Sequence, residues 1–252
     1  MNLSFENRVA IVTGAAHGFG RAIAKAFGER GASVHICDIN KAGLAETRTL
    51  IGATCRAHLV DVGDRDAVQK AGGAIEAETG RVDILVNNAG GVCGQVGRPI
   101  EEISQADWQT IFDVNLSGAF FMTQAVAPGM KRRRYGRIIN ISSGAGLGIS
   151  LTGIQAYASA KAGQIGLTRQ LAHELGPWNI TVNNVAPGFV RSNPTTERQW
   201  EAMGEEGQQR LLQNIALKRL GSAEDIAAMV MFFASDFAGW ISGQVISVDG
   251  GK

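Results

Sequence analysis

The sequence predicts an α/β fold in which a doubly wound parallel sheet of seven strands is covered by helices on both faces. Short apolar runs alternate with longer helix-like segments, and most of these runs are continuously apolar. Strands buried on both faces have this pattern, and the segments between them are long enough for crossover helices. The predicted strands cover residues 9–13, 33–37, 55–59, 83–87, 137–141, 180–185 and 244–248.

The length and composition are those of one globular domain. With 252 residues, of which 45% are hydrophobic, the chain can bury a sizeable core. No repeat, low-complexity tract or linker marks a boundary, so residues 1–252 are expected to form a single domain. The segment from Pro187 to about Gly221 contains no predicted strand, and a connection of that length usually has a role.

Charge and cysteine content exclude several classes of partner. A formal net charge of +1 provides no field that would hold a polyanion, so neither nucleic acid nor a membrane surface is an expected partner. Cys37, Cys55 and Cys93 are odd in number and far apart, which predicts reduced, buried thiols and a cytoplasmic location. No apolar stretch approaches the length of a membrane span, and the N-terminus does not resemble a secretion signal.

The glycine-rich stretch "TGAAHGFG", residues 13–20, lies between the first predicted strand and the first helix. Gly14 can make the tight turn, Gly18 can let the backbone approach a pyrophosphate, and Gly20 can let the helix pack closely on the strand. The free N–H groups of the helix would face the anion. A nucleotide-hydrolysing loop would end in Gly-Lys-Ser/Thr, whereas "HGFGRA" stands here, so a dinucleotide is the better prediction.

Asp38 closes the second predicted strand, 18 residues after Gly20. A dinucleotide site needs an acid at about this distance to bind the adenosine ribose. The alternative is that Asp38 only caps a helix that starts near Asn40. The strand, turn, helix and acid together favour a Rossmann-like fold.

These motifs resemble the short-chain dehydrogenase/reductase family, whose TGxxxGxG pattern is matched in full. Further matches continue to "VDGG" at residues 248–251, so the resemblance covers nearly the whole chain. It implies that Asp61 and Val62 flank the adenine and that "NNAG", residues 87–90, runs beneath the adenosine side and the nicotinamide ribose. It also implies that "PGFV", residues 187–190, meets the nicotinamide. Ser192 stands where the family often has threonine, and it can supply the same hydroxyl.

The predicted cofactor is NAD(H), because the Asp38 carboxylate would repel the 2'-phosphate of NADP(H). His17 also stands where NADP-preferring relatives often have a cation. The expected cofactor-binding residues are Gly14, His17, Gly18, Phe19, Gly20, Asp38, Ile39, Asp61, Val62, Asn88, Ala89, Gly90, Tyr157, Lys161, Pro187, Gly188, Val190 and Ser192.

The stretch "YASAK" places Tyr157 and Lys161 four residues apart, on one face of a helix. An adjacent ammonium and an oxidised nicotinamide would favour the phenolate, which brings the tyrosine pKa nearer to neutral pH and makes proton transfer efficient. The helix follows "IINISS", a strand running into a polar turn, so it begins at the sheet edge where the cofactor is expected.

Two further catalytic residues come from the family resemblance. Ser143, the second serine of "ISS", would hydrogen-bond the substrate oxygen. Ser142 is its rival for this role, and otherwise would cap the turn. Asn115 in "FDVNLSG" matches the family asparagine that holds a water near the lysine, although a polar residue at a helix kink also fits.

Other motifs predict no different chemistry. The basic run "KRRRYGR", residues 131–137, fits a solvated helix end, where cations suit the helix dipole. The histidines have no ligand spacing, so no metal site is expected, and no Gly-x-Ser-x-Gly elbow of a serine hydrolase occurs.

The sequence therefore predicts an NAD-dependent oxidoreductase that interconverts a secondary alcohol and a ketone, or a lactol and a lactone. A non-catalytic dinucleotide-sensing protein is the alternative from another class. Such a sensor need not keep all four of Asn115, Ser143, Tyr157 and Lys161. The resemblance also implies a homotetramer in which the long helices after Ser104 and Gln155 pack between subunits.

The segment of about residues 188–220 is predicted to be a substrate lid, helical on both sides of Gly204 and Gly207. Its polarity favours a small polar substrate such as a sugar, sugar acid or polyol. The apolar Leu147, Ile149, Leu151, Trp200 and Met203 keep open a 3-oxoacyl-thioester or a hydrophobic or cyclic alcohol. The expected substrate-binding residues are Ser143, Ser150, Gln155, Tyr157, Arg191 and Asn193.

Overall fold

A computed structural model describes residues 3–252 and contains the predicted seven-stranded sheet. All strand pairs are parallel, and the order across the sheet is β3-β2-β1-β4-β5-β6-β7. Each strand lies within two residues of its predicted bounds, which confirms the predicted fold class. The strands are β1 Val9–Thr13, β2 Ser33–Asp38, β3 Cys55–Leu59, β4 Ile84–Asn87, β5 Gly136–Ile141, β6 Ile180–Pro187 and β7 Val245–Val248.

Helices fill the connections between the strands and extend into the long segment after β6. None of the helices described over residues 3–252 is long and apolar enough to cross a membrane. The α-helices are α1 Gly18–Gly28, α2 Lys41–Ile51, α3 Arg65–Thr79, α4 Gln105–Phe112, α5 Gly118–Arg133, α6 Gln155–Leu175, α7 Pro194–Ala202, α8 Gly204–Asn214 and α9 Ala223–Ala234.

Two apolar cores cover the two faces of the sheet. Ile23 and Phe27 of α1 pack with Val230 of α9 on one face. Val68 of α3 and Met122 of α5 belong to the core on the other face, together with the end of α6. The central strands β1, β4, β5 and β6 are buried along their whole length, which explains why most of their residues are apolar.

The order in which strands are added to the sheet reverses at β1, which pairs with β2 on one side and with β4 on the other. A ligand crevice forms at such a switch point, beyond the carboxyl ends of the strands. The turn after β1, the segment after β4, the serines after β5 and the segment after β6 all meet at this edge. The fold therefore brings the predicted motifs to one place.

The segment after β6 forms two helices, α7 and α8, as the sequence predicts. They are separated at Met203 and Gly204, where the glycine has a φ of +60°. Gly207 lies inside α8, so only Gly204 acts as a break. Val190 and Gly221, near the two ends of the segment, meet in a single parallel bridge.

The structure corrects two expectations about particular residues. Cys37 and Cys55 are buried free thiols as predicted, but Cys93 is exposed. The basic run 131–137 spans the last turn of α5 and the start of β5, and it is not solvated throughout, because Arg133 pairs with Glu76 at 2.9 Å and Arg137 is buried in β5.

A pair of histidines joins the two outer strands β2 and β3. His35 Nδ1 lies 2.9 Å from His58 Nε2, and the two rings stack with centroids 5.2 Å apart. Burial lowers the pKa of His35 to about 4, and the neighbouring His58 adds to this effect. Burial also lowers the pKa of His58. Both imidazoles are therefore neutral at physiological pH, and one can donate its N–H to the other.

Candidate active site

A cleft of about 1110 Å³ runs along the carboxyl ends of the strands. Its walls come from the glycine turn, the ends of β2 and β3, the segment after β4, the loop 144–154 after β5, α6 and the segment after β6. A cleft of this volume can hold part of a dinucleotide together with a small substrate.

Close backbone approaches explain the three glycines of the turn after β1. Gly14 and Gly18 have φ values of +65° and +56°, which side chains disfavour. A Cβ on Gly14 would lie 2.7 Å from the Cα of Ala89, and a Cβ on Gly20 would lie 2.1 Å from the Gly14 carbonyl oxygen. Glycine at 20 therefore lets α1 approach the turn closely, as the sequence suggested.

Thr13 ties the glycine turn to the segment after β4. Its hydroxyl accepts hydrogen bonds from the backbone N–H groups of Asn88, at 3.1 Å, and Ala89, at 3.0 Å. The Asn88 amide in turn donates to the carbonyls of Thr13 and Gly14, at 2.9 and 3.0 Å. The two segments predicted to carry the cofactor are thus held together by four hydrogen bonds, each of which uses the side chain of Thr13 or of Asn88.

Asp38 lies at the end of β2 and lines the cleft. Its carboxylate accepts from the N–H of Ala16 at 3.0 Å and from that of Asn40 at 2.9 Å. Helix α2 begins at Lys41 and is capped by Asn40, whose side chain accepts from the Gly43 N–H. Capping alone therefore does not account for Asp38, which braces the glycine turn and faces the cleft.

The start of α1 fits the pyrophosphate of a dinucleotide. No side chain caps this helix, and its first turn contains no acidic residue. The N–H groups of the first turn are therefore available to an anion, and the helix dipole favours negative charge there. Among the predicted cofactor residues, the cleft is lined by Gly14, His17, Gly18, Phe19, Asp38, Ile39, Asp61, Val62, Asn88, Ala89, Gly90, Tyr157, Lys161, Pro187, Gly188, Val190 and Ser192.

Helix α6 places Tyr157 and Lys161 on the cleft wall. The Lys161 ammonium lies 5.8 Å from the centre of the Tyr157 ring and donates to the Ile141 carbonyl at 2.8 Å. Burial raises the pKa of Tyr157, and a hydrogen bond with the Ser143 side chain opposes this effect. Burial lowers the pKa of Lys161 to about 7. The expected lowering of the tyrosine pKa is therefore not found in the protein alone, because burial outweighs the effect of Ser143.

Ser142 and Ser143 point to opposite sides of the end of β5. Ser142 is buried, and its hydroxyl donates to the side-chain oxygen of Asn184. Ser143 lines the cleft as Tyr157 does, and its hydroxyl accepts from the Ala145 N–H at 3.1 Å. Of the two, Ser143 is the one placed to reach a substrate, and it is also the one that caps the turn.

Ser142 also ends a buried chain of hydrogen bonds below the cleft. The Asn87 amide donates to Asn140 at 2.9 Å, and Asn140 donates to the Thr168 hydroxyl at 2.8 Å. The Asn184 amide donates to the same hydroxyl at 3.4 Å. This chain, called the amide ladder below, joins β4, β5 and β6 to α6.

Asn115 lies in a π-helical turn, Asp113–Ser117, between α4 and α5. Its buried amide donates to the Gly91 carbonyl at 2.8 Å and to the Ile111 carbonyl at 2.9 Å, and its oxygen accepts from the Gly91 N–H. A Cβ on Gly90 would lie 2.6 Å from this oxygen and 3.0 Å from the Lys161 nitrogen. Asn115 is thus both at a helix irregularity and near the lysine, so both interpretations stay open.

Two predicted substrate residues do not line the cleft. The Arg191 guanidinium pairs with Glu197 at 2.8 Å, and the Gln155 amide donates to the Arg98 carbonyl at 3.0 Å. Both side chains are turned to partners within the protein, so their assignment to substrate binding stays a prediction. The others, Ser143, Ser150, Tyr157 and Asn193, are on the cleft wall.

The polar side chains that do line the substrate end are also engaged. Asn193 caps α7 by accepting from the N–H groups of Thr195 and Thr196, at 2.9 and 3.0 Å. The hydroxyls of Ser150 and Thr152 bond to each other at 2.8 Å. Few of the groups that suggested a polar substrate are therefore free to bind one.

The protein resembles known proteins over nearly its whole length. A protein-family model described as enoyl-(acyl carrier protein) reductase matches residues 14–252. The chain is 41% identical to the (2S)-[(R)-hydroxy(phenyl)methyl]succinyl-CoA dehydrogenase subunit BbsD of Thauera aromatica, over 99% of this chain and 98% of that protein. It is 38% identical to the 3-oxoacyl-[acyl-carrier-protein] reductase FabG of Thermotoga maritima, over 99% of each. The chain belongs to the short-chain dehydrogenase/reductase family.

A solved structure confirms this membership at the level of the fold. The crystal structure of levodione reductase superposes with a TM-score of 0.91 at 30% identity, covering 98% of both chains. Members of the short-chain dehydrogenase/reductase family are oxidoreductases that act on CH–OH groups with a nicotinamide dinucleotide. The prediction of an enzyme is therefore confirmed.

Three parts of the cleft were not predicted from the sequence. The segment after "NNAG" lines it with Val92, Cys93 and Gly94, and α4 and the π-helical turn add Thr110 and Val114. The C-terminal stretch contributes Ser247, Asp249 and Lys252. The glycines that follow "NNAG" and the "VDGG" match were the available signals, since both lie at the carboxyl ends of predicted strands.

Proposed function

We propose that the protein is an NAD(H)-dependent oxidoreductase that interconverts a secondary alcohol and a ketone, or a lactol and a lactone. The observation that carries the proposal is the position of Tyr157, Ser143 and Lys161, which all line the cleft that the glycine turn opens. A proton carrier and a hydroxyl donor are thereby available beside a site suited to a dinucleotide.

When bound, the cofactor supplies or accepts the hydride. In ketone reduction, the Tyr157 phenol donates its proton to the substrate oxygen, and in alcohol oxidation the phenolate takes that proton back. The Ser143 hydroxyl hydrogen-bonds the same oxygen as charge develops there. Because burial raises the pKa of Tyr157, the phenol is protonated at neutral pH and is ready for the reductive direction.

Lys161 is the buried cation of the site. With a pKa of about 7, set by burial, it is charged in about half of the molecules near neutral pH. Its ammonium would bind the hydroxyls of the nicotinamide ribose and favour the phenolate of Tyr157. Deprotonation at higher pH removes both effects, so the lysine limits the alkaline side of the activity.

The charges around the cleft support NAD(H) over NADP(H). Asp38, Asp61 and Asp249 line it, whereas Lys161 and Lys252 are the only lysine or arginine side chains among its described lining residues. A 2'-phosphate carries about 1.5 to 2 negative charges, and repulsion near a surface is on the order of 4 kcal/mol per unit pair at 4 Å before screening. Asp38 is therefore proposed as the residue that discriminates against the phosphate.

The substrate candidates are distinguished by the character of the cleft. The sequence favoured a sugar, sugar acid or polyol, but Arg191 and Gln155 do not line the cleft, and Asn193 and Ser150 are hydrogen-bonded within the protein. Loop 144–154 instead presents Leu147, Ile149 and Leu151 at the cleft mouth, with exposed fractions of 52%, 100% and 59%. Phe189, which stacks on Trp200, lines the cleft as well.

These side chains support an apolar substrate body, as in a hydrophobic or cyclic alcohol or an acyl thioester. Closure of the lid, residues 188–220, over such a body would bury the exposed aliphatic groups, and each buried large apolar side chain contributes about 1.5 to 3 kcal/mol. Gly204 provides a natural hinge between the two lid helices.

The assembly proposed is a homotetramer. Helices α5 and α6 border a surface depression of about 400 Å³, and Phe120 on its rim is 43% exposed. An apolar face of this kind is suited to contact with a second copy.

Light scattering of the purified protein should give the mass of four chains, and a monomer would contradict the assembly.

The cytoplasmic location expected from the sequence is supported by the buried free thiols of Cys37 and Cys55.

Replacing Tyr157 by phenylalanine should abolish turnover while NADH binding persists, because only the transferable proton is lost. Removal of a general acid typically costs roughly 10²–10⁴-fold in rate. Steady-state kinetics and NADH fluorescence would measure the two effects. The chain offers a matched control in Tyr135→Phe, whose hydroxyl bonds to Asp236 outside the cleft and whose loss should leave turnover intact. Substantial activity in Tyr157→Phe would show that another group carries the proton.

Replacing Asp38 by serine should reduce the preference for NADH over NADPH by at least about tenfold, since each 1.4 kcal/mol of relieved repulsion is a factor of ten. The ratio of kcat/KM for the two cofactors is the measurement. Asp61→Asn, which removes another carboxylate of the cleft, should leave that ratio nearly unchanged. A wild-type enzyme that uses NADPH as well as NADH would refute the assignment.

A substrate panel should give higher kcat/KM for hydrophobic cyclic or aryl alcohols, or for acyl thioesters, than for sugars, sugar acids and polyols. Leu147→Asn should raise KM for the preferred apolar substrate by roughly tenfold, because burial of the side chain is lost. Leu50→Asn is the control, since Leu50 is equally exposed on α2 but lies outside the cleft. Higher kcat/KM values for the sugars, sugar acids and polyols would support a small polar substrate instead.

A further inference from the structure

Gln164 is a fully buried amide one helical turn after Lys161 on α6. Its side-chain oxygen lies 3.5 Å from the Lys161 nitrogen, which also donates to the Ile141 carbonyl at 2.8 Å. The NH₂ group of Gln164 has no hydrogen-bond partner among the described residues. The amide therefore has a single polar side-chain contact, and that contact is with the lysine of the proposed active site.

A buried amide with an unpartnered NH₂ group is costly for the folded state. Leucine has a similar volume and would fill the same position without leaving a polar group unpaired. Packing alone thus gives no reason for glutamine here, whereas a buried ammonium needs acceptors for its three donors. The contact with Lys161 supplies that reason.

None of the other groups around Lys161 carries a negative charge that could take the place of this acceptor. Tyr157 faces it from the same helix, the Ile141 carbonyl from β5, and Gly90 and Asn115 from the opposite side of the cleft floor. Burial is the cause of the lowered pKa of Lys161, and no carboxylate counteracts it. The charge on the lysine therefore depends on neutral dipoles such as the Gln164 amide.

We propose that Gln164 is a positioning residue, which holds the Lys161 side chain protonated and directed at the cleft by accepting a hydrogen bond from its ammonium. It touches neither substrate nor cofactor, because it lies behind the lysine and does not line the cleft. The inference rests on the proposed dinucleotide-dependent function and identifies a residue that would set its pH range.

The test compares Gln164→Leu and Gln164→Glu with the wild-type protein from about pH 5.5 to about pH 9. NADH affinity by fluorescence and kcat/KM should both decline on the alkaline side, where Lys161 loses its charge. Loss of the acceptor in Gln164→Leu should move the midpoint of this alkaline decline down by about one pH unit. At pH values above the midpoint, NADH should then bind about tenfold more weakly than to the wild-type protein. The carboxylate of Gln164→Glu should move the midpoint up. Thermal unfolding of Gln164→Leu should occur at the wild-type temperature or higher.

Ser235→Ala is the matched control, because it removes a buried hydroxyl that donates to the Phe232 carbonyl at 2.6 Å at the end of α9, outside the cleft and away from Lys161. It should lower the unfolding temperature and leave the pH midpoint in place. An unmoved midpoint in Gln164→Leu, with or without lower stability, would overturn the inference and leave the proposed function standing. A wild-type protein that fails to bind NADH at every pH would instead overturn the proposed function, and this inference with it.

Discussion

The amide ladder fixes the geometry on which the active site depends. One asparagine from each of β4, β5 and β6, together with Thr168 of α6, forms a continuous set of hydrogen bonds in an otherwise apolar interior. Burying an unpaired polar group is costly, so a shift of one strand or of the helix would break several of these hydrogen bonds at once. The ladder thereby sets the position of α6 relative to the sheet, and with it the positions of Tyr157 and Lys161.

The alternation of side chains along a strand explains how two adjacent serines acquire different roles. Successive residues at the end of β5 face opposite sides, so Ser142 enters the ladder while Ser143 reaches the cleft. Thr13 at the end of β1 similarly uses its hydroxyl to hold the segment that follows β4. The strand ends are therefore ordered by hydrogen bonds before any ligand is bound, and a preorganised site loses little free energy in adapting to its ligand.

The strands and most of the cleft could be predicted because they depend on local patterns. Continuous apolar runs identify buried parallel strands, and motifs at their carboxyl ends meet at one sheet edge whatever the loops do. The roles of Asn193 and Arg191 could not be predicted in this way, since a cap or an ion pair depends on the conformation of the segment itself. The direction of the Tyr157 pKa shift was also out of reach, because it results from burial by residues distant in the sequence.

The His35–His58 pair makes the contact between the outer strands β2 and β3 sensitive to acid. Because burial lowers the pKa of His35 from 6.5 to about 4, the unfolded chain takes up more protons than the folded one between these values. The stabilisation is complete above about pH 6.5 and is lost as the pH falls toward 4. Strand β2 ends in Asp38, and β3 leads to Asp61. Proton uptake therefore weakens the contact between the two outer strands, whose ends lead to two carboxylates of the cleft wall.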